Sequence, residues 1–174
     1  YKNKVWGLTG FAYLVDQDEA AVQNFRESSQ SYGVRGTAAI PLSTVAKLNL
    51  AASYANQRDY HRNPNNYTAN YYAGEAALDA KGFKLTSGFE VLGADNGAAF
   101  TSFQTPLASL HKFNGFADKF LTTPVDGVED LYLGVDTALG PLKLSAIYHN
   151  FQAEDSSEDF GDEIDLAQRA AVAA

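Results

Sequence analysis

The 174-residue sequence contains no cysteine and no methionine. The first absence excludes disulfide frameworks, thiolate metal sites and thiol nucleophiles. The second, together with an opening Tyr1-Lys2-Asn3 that is no signal peptide, predicts a processed protein or a fragment of one. No apolar run exceeds five residues, as in Phe11-Ala12-Tyr13-Leu14-Val15. A transmembrane helix needs about 20 such residues and is therefore excluded. Basic residues are in deficit, 13 Lys and Arg against 21 Asp and Glu for a formal net charge of −8, which argues against nucleic acid as a partner. The 3 histidines include no pair at metal-ligand spacing. A mean hydropathy of −0.25 reads at first as soluble. That average is blind to a β-barrel wall, which carries its apolar surface on every second residue.

What the chain does have is the palette of strands and polar loops, including 10 tyrosines and 11 phenylalanines. Alternation of apolar and polar residues, the primary strand signal, recurs along its length. Tyr32, Val34, Gly36, Ala38, Ile40 and Leu42 oppose Gly33, Arg35, Thr37 and Ala39. The same pattern predicts strands at 4–16, 32–42, 46–54, 72–79, 83–91, 131–139, 142–149 and 163–174. The last also has high helix propensity and would place Gln168 on its apolar face, but the alternation reads as strand. Eight strands of about 9 to 13 residues approach the length a tilted strand needs to cross a bilayer. Their connections are long at 17–29, 58–66, 93–127 and 152–162, and short at 43–45, 80–82 and 140–141. Long and short links alternate throughout, as in outer-membrane barrels, whereas a soluble sandwich has no reason for such a rule.

The expected fold is therefore all-β, an antiparallel up-and-down transmembrane β-barrel. Residues 1–174 would form a single domain or a fragment of one, and 93–127 a long loop that could fold into the lumen. A soluble ligand-binding barrel would show the same alternation with the apolar face turned inward. Strand length, loop asymmetry and aromatics near strand ends (Trp6, Tyr13, Tyr32, Tyr54, Tyr72, Phe83, Phe89 and Tyr148) favour the membrane.

The segment Gly88-Phe89-Glu90-Val91-Leu92-Gly93 leads into Phe103-Gln104-Thr105-Pro106-Leu107-Ala108-Ser109-Leu110-His111-Lys112-Phe113-Asn114-Gly115-Phe116-Ala117-Asp118-Lys119-Phe120-Leu121. Thr122-Thr123-Pro124-Val125-Asp126-Gly127-Val128-Glu129-Asp130-Leu131-Tyr132 and Tyr148-His149-Asn150-Phe151 follow. This stretch, from 88 to 151, resembles the alginate-export-like porins of Gram-negative outer membranes. The resemblance implies an outer-membrane pore with more strands than the eight seen here. The chain also stops at Ala174 within an alternating run, as a partial barrel would.

On the polar face the pattern places Arg35, Lys47, Lys84, Lys143 and Arg169 against Glu75, Asp79, Glu90, Asp136 and Asp165, with His149 beside them. These are the candidate pore-lining residues. Five cations against five carboxylates give no anion preference, so a general or cation-tolerant porin is expected rather than one built for a polyanion. Mixed charges of this kind can equally pair with one another and keep a wall hydrated. In the long loop, Thr105 before Pro106 reads as an N-cap with Pro at the first helical position. Leu107, Leu110 and His111 would share a helical face, Gly115 would end it, and a second short turn would run from Phe116 to Leu121. So apolar a loop should not stand free in water. Either it enters the lumen, setting His111, Lys112, Asp118 and Lys119 at a constriction, or it packs as a plug or against a neighbouring subunit.

The final connection is rich in carboxylates, among them Glu154, Asp155, Glu158 and Asp159, with Asp162 and Glu163 beyond. They could bind a hard cation, but they lack the order of an EF-hand loop, and a solvated acidic loop is the default. Catalysis is not expected. Ser145 and His149 share a strand face but stand about 13 Å apart, and no Gly-x-Ser-x-Gly surrounds His61 or His111. No cofactor is implied. The expected partners are outer-membrane lipid and lipopolysaccharide, small hydrophilic solutes, and further copies or other outer-membrane proteins. The leading expectation is a porin-like channel for passive diffusion in the outer membrane of a Gram-negative bacterium. The alternative from another class is a structural or adhesive barrel that displays its loops.

Overall fold

A computed structural model describes residues 5–21, 24–108 and 114–170. They form eight strands: β1 (Trp6–Val15), β2 (Ser29–Ser43), β3 (Ala46–Asp59), β4 (Thr68–Ala80), β5 (Phe83–Leu92), β6 (Val128–Leu139), β7 (Leu142–Gln152) and β8 (Asp159–Ala170). A single 3₁₀ turn, Asn24–Glu27, interrupts the first long link. Every strand pairs antiparallel with its sequence neighbours in one sheet, in the order β1 to β8. Among the described residues β1 and β8 do not pair with each other, so the sheet is open and these eight strands do not close on themselves.

Strands β2 to β7 are longer than the alternation alone predicts, mostly at the ends facing the long links. β2 begins at Ser29, β3 runs to Asp59 and β4 begins at Thr68. Polar residues such as Gln57 and Asn70 occupy these extensions, where the apolar–polar rhythm fades but backbone pairing continues. Asp159 and Asp162, expected in the last connection, likewise belong to β8. The residues at 171–174, where the last strand was expected to continue, lie outside the described residues.

At one rim the strands are joined by two-residue turns. Lys81 and Gly82 both have positive φ, 52° and 86°, the combination whose twist matches a hairpin. Gly140 (φ 59°) followed by Pro141 makes the related turn with positive φ at its first position. The long connections all lie at the opposite rim.

Register fixes which residues share a face. Gly36, Ala52, Gly74 and Phe89 form one row, and Ala38, Leu50, Ala76, Ser87, Leu133, Tyr148 and Ile164 another. This apolar face is exposed: Leu85 is 53 % accessible, Leu133 55 %, Ile164 70 % and Leu166 75 %. Tyr32, Tyr54 and Tyr148 also lie on it, each donating its hydroxyl to a polar side chain nearer the long-loop rim: Gln30 at 3.2 Å, Asn70 at 3.0 Å and Asp162 at 2.7 Å. Tyr13 departs from the expected aromatic set. It pairs with Ser31 and packs its ring 5.5 Å from Phe11, which puts it on the polar face.

The buried core sits on that opposite, polar face, and only near the long-loop rim. Ala55, Tyr67, Ala69, Leu92, Phe103, Phe120, Val128 and Phe151 form it. Two of its eight residues, Phe103 and Phe120, come from the 93–127 loop, so the loop folds over the sheet and supplies part of its own hydrophobic seat.

Candidate functional site

All eleven charged or titratable residues expected to line a pore fall on one face of the sheet. Cross-strand neighbours show it: Glu75 stands opposite Ala51 and Gly88, Lys84 opposite Asp79 and Asp136, and His149 opposite Tyr132 and Glu163. Arg35 pairs with Ser53 in register and donates to its hydroxyl at 3.0 Å. Asp165 and Arg169 continue the same parity along β8, with Arg169 directly opposite Lys143.

The centre of this face is a buried cluster around His149, itself 7 % exposed. Its Nδ1 lies 2.9 Å from both carboxylate oxygens of Asp130, which is 1 % exposed, and its Nε2 lies 3.6 Å from Asp165 Oδ2. The ring stacks on Phe151, centroids 5.3 Å apart and planes within 8°. A buried carboxylate needs such a partner, because stripping its hydration costs several kcal/mol, of the order of the penalty for any isolated buried ion. Two further carboxylates lie close by. Glu90 accepts from the Tyr71 hydroxyl at 2.5 Å, and Glu75 from the Tyr132 hydroxyl at 2.9 Å. The Tyr132 ring lies over Gly88, where a Cβ would meet its Cζ at 2.1 Å. A side chain at 88 would have to displace the far end of that ring.

The loop is tied to this face at two places. Near the long-loop rim, the Gln57 side chain behaves like a strand neighbour of Gln104. It donates to the Gln104 carbonyl at 2.9 Å and accepts from its N–H at 2.8 Å. Tyr67 donates to the same Gln57 oxygen at 3.1 Å, and burial, aided by the nearby Asp59 carboxylate, holds the Tyr67 phenol well above its usual pKa. Gln104 in turn accepts from Thr123 N–H at 3.1 Å and donates to the Thr123 carbonyl at 3.0 Å. Deeper on the face, Asn114 donates to Glu90 at 3.0 Å, Phe116 N–H to Asp165 at 3.2 Å and Ala117 N–H to Glu163 at 2.8 Å. Gly115, at φ 86° between them, turns the backbone so that the next two amides meet β8.

The segment that meets the charged cluster is therefore 114–117. Two of the four expected constriction residues, His111 and Lys112, lie outside the described residues. Lys119 is exposed and donates to the Phe160 carbonyl at the β8 edge, and Asp118 occupies a turn at φ 53°. The expected helix after Thr105 is, within the described residues, a single turn closed by Ala108 N–H to the Thr105 carbonyl at 3.0 Å. Of the acidic residues at the last connection, Glu154 accepts from Ala94 N–H at 3.1 Å and Asp159 from Gly161 N–H at 2.8 Å. Among the described residues no three carboxylates or histidines gather as a metal-ligand set.

Asp130, Tyr132 and Gln57 are the residues that sequence reading passed over. The first two lie in phase with Gly134 and Asp136, and Gln57 lies in phase with Ser53 and Ala55. Tyr132 already falls inside the expected strand 131–139 but is not singled out there; extending the alternation by a few residues would have placed Asp130 and Gln57. No local signal marks Gln104.

Two recesses lie on the face. One, of about 300 Å³, lies against the loop between Glu90, Asp130, His149 and Phe116. The other, of about 1090 Å³, lies toward the two-residue turns. Compared with known proteins, the chain matches no family model, no curated protein and no solved structure.

Proposed function

We propose that the chain is a section of an outer-membrane β-barrel that acts as a porin-like channel for small hydrophilic solutes or ions, by diffusion and without a cofactor. One observation carries this reading. Across all eight strands large apolar side chains are exposed on one face, which carries charges only near the long-loop rim (Arg58, Glu129 and Asp162), while the other charges, the buried histidine and the covering loop share the opposite face. A soluble sheet protein buries its apolar face; a barrel wall in a bilayer turns it to the lipid. The outward tyrosines, each with its hydroxyl on a polar side chain at the long-loop end, are placed as an interfacial belt would be. Open edges at β1 and β8 fit a wall continued by further strands, consistent with the likeness of 88–151 to the alginate-export-like porins.

In this reading the polar face is the lumen wall and the 93–127 loop lies inside, as the constriction or plug. The outer surface would meet lipid and lipopolysaccharide of a Gram-negative outer membrane. The test is single-channel recording in a planar lipid bilayer with the folded protein. Stepwise, ohmic conductance is expected. A folded, inserted protein that never conducts would sink the channel and leave a loop-plugged structural barrel, the outcome that the Gln57–Gln104 clamp would then explain.

A further inference from the structure

The charges of the polar face are segregated along the strands. The recess against the loop is lined by Glu75, Glu90, Asp130 and Asp136, with Arg35 and Lys84 opposing them. The larger recess near the two-residue turns reverses the balance: Lys47, Lys81, Lys84, Lys143 and Arg169 stand against Asp79 and Asp136. Counting charges along the whole face conceals this, since the two ends cancel.

Within the turn-side recess the cations are not equivalent. Lys47 is engaged with Asp79 at 3.5 Å, and Asp79 also accepts from Asn49 at 2.6 Å. Lys143 and Arg169, by contrast, are direct cross-strand partners on β7 and β8. Like charges directly opposed across an antiparallel pair are destabilising, because their Cβ atoms stand only about 5 Å apart. Among the described residues neither makes an ion pair or a hydrogen bond through its side chain, and neither does Lys84. Lys84 lies on the same face, two strands from Lys143 and three from Arg169, between Asp79 and Asp136, and lines the same recess. Phe116 of the loop closes the far side of the recess.

We propose that Lys84, Lys143 and Arg169 form a binding site for a compact multivalent oxyanion, of which a phosphate or pyrophosphate group is the type. A guanidinium offers a planar fork to such an anion and ammonium groups offer point charges, so one anion can relieve the repulsion of the opposed pair. The occupant is a water-borne solute and not a lipid headgroup, because the recess opens on the face opposite the exposed apolar side chains. The site goes beyond the channel reading: the three cations line one recess whether or not the sheet borders a conducting path.

The test is calorimetric titration of inorganic pyrophosphate into the folded chain in zwitterionic detergent at low salt. Saturable binding is expected, weakened at least tenfold in the K143Q/R169Q pair and in Lys84→Gln alone. Arg62→Gln, a cation on the opposite rim, should bind as the unchanged protein does. Circular dichroism checks each variant's fold; should the double variant not fold, Lys84→Gln decides. Absence of saturable binding to the unchanged protein would overturn the site. So would equal weakening by Arg62→Gln, which would mean unspecific charge attraction, or binding only when phosphatidylglycerol is added, which would assign the recess to lipid.

Discussion

Gln57 shows how much one side chain can hold. It makes four hydrogen bonds in a buried setting, two with the Gln104 backbone, one to the Ser31 hydroxyl and one from Tyr67. Replacing it with alanine leaves a buried N–H, a carbonyl, the Ser31 hydroxyl and a phenol each short of a partner, at about 1–3 kcal/mol for each group left unsatisfied. Gln57→Ala should therefore lower the urea midpoint of the folded protein and make the 93–127 loop cleavable by added protease under native conditions. A loop that stays protected would show that Phe103 and Phe120 alone secure it. The residue was hard to find from sequence for a physical reason: its importance comes from a partner 47 positions away. The charged residues of the face were easier. Strand parity decides their side, and parity survives errors of several residues at a strand's ends, so Arg35 to Arg169 fell together although β2, β3, β4 and β8 all begin or end elsewhere than expected. Asp130 was lost because it lies one step before the point where the apolar rhythm becomes plain.

Among the elements, the hairpins were the most legible, since their chemistry is local. Lys81-Gly82 needs positive φ at both positions, and a Cβ on Gly82 would meet nothing within 4 Å. Gly82→Val should thus cost about 1–3 kcal/mol of backbone strain with no steric term, read as a lowered unfolding midpoint with an unchanged denaturant slope. A neutral result would mean that this turn can adopt another type without disturbing the Ala80–Phe83 pair. The long loop was legible only in part. Its apolar content predicted that it would seek cover, and Phe103 and Phe120 do so. Of its predicted helix the described residues hold one turn at the start, while 109–113 lie outside them; beyond, Glu90, Glu163 and Asp165 take up the side chain of Asn114 and the amides of 116 and 117.

At the scale of the molecule, eight strands in sequence order make an open sheet with two faces of opposite character. Alternation announced the two faces, and the odd–even rule of the links placed every long connection at one rim. Closure was not legible, because a strand's pattern says which face a side chain takes and nothing about what pairs with the last edge. The central claim is that the apolar face meets lipid, and it can be measured strand by strand. Single spin labels placed in turn along β6, at Leu131 through Asp136, should alternate after reconstitution into phospholipid vesicles. Labels at 131, 133 and 135 should be accessible to dissolved oxygen and shielded from a water-soluble nickel complex, and those at 132, 134 and 136 should show the reverse or be shielded from both. Full accessibility of labels 131, 133 and 135 to the nickel complex would contradict the membrane reading and return the sheet to water.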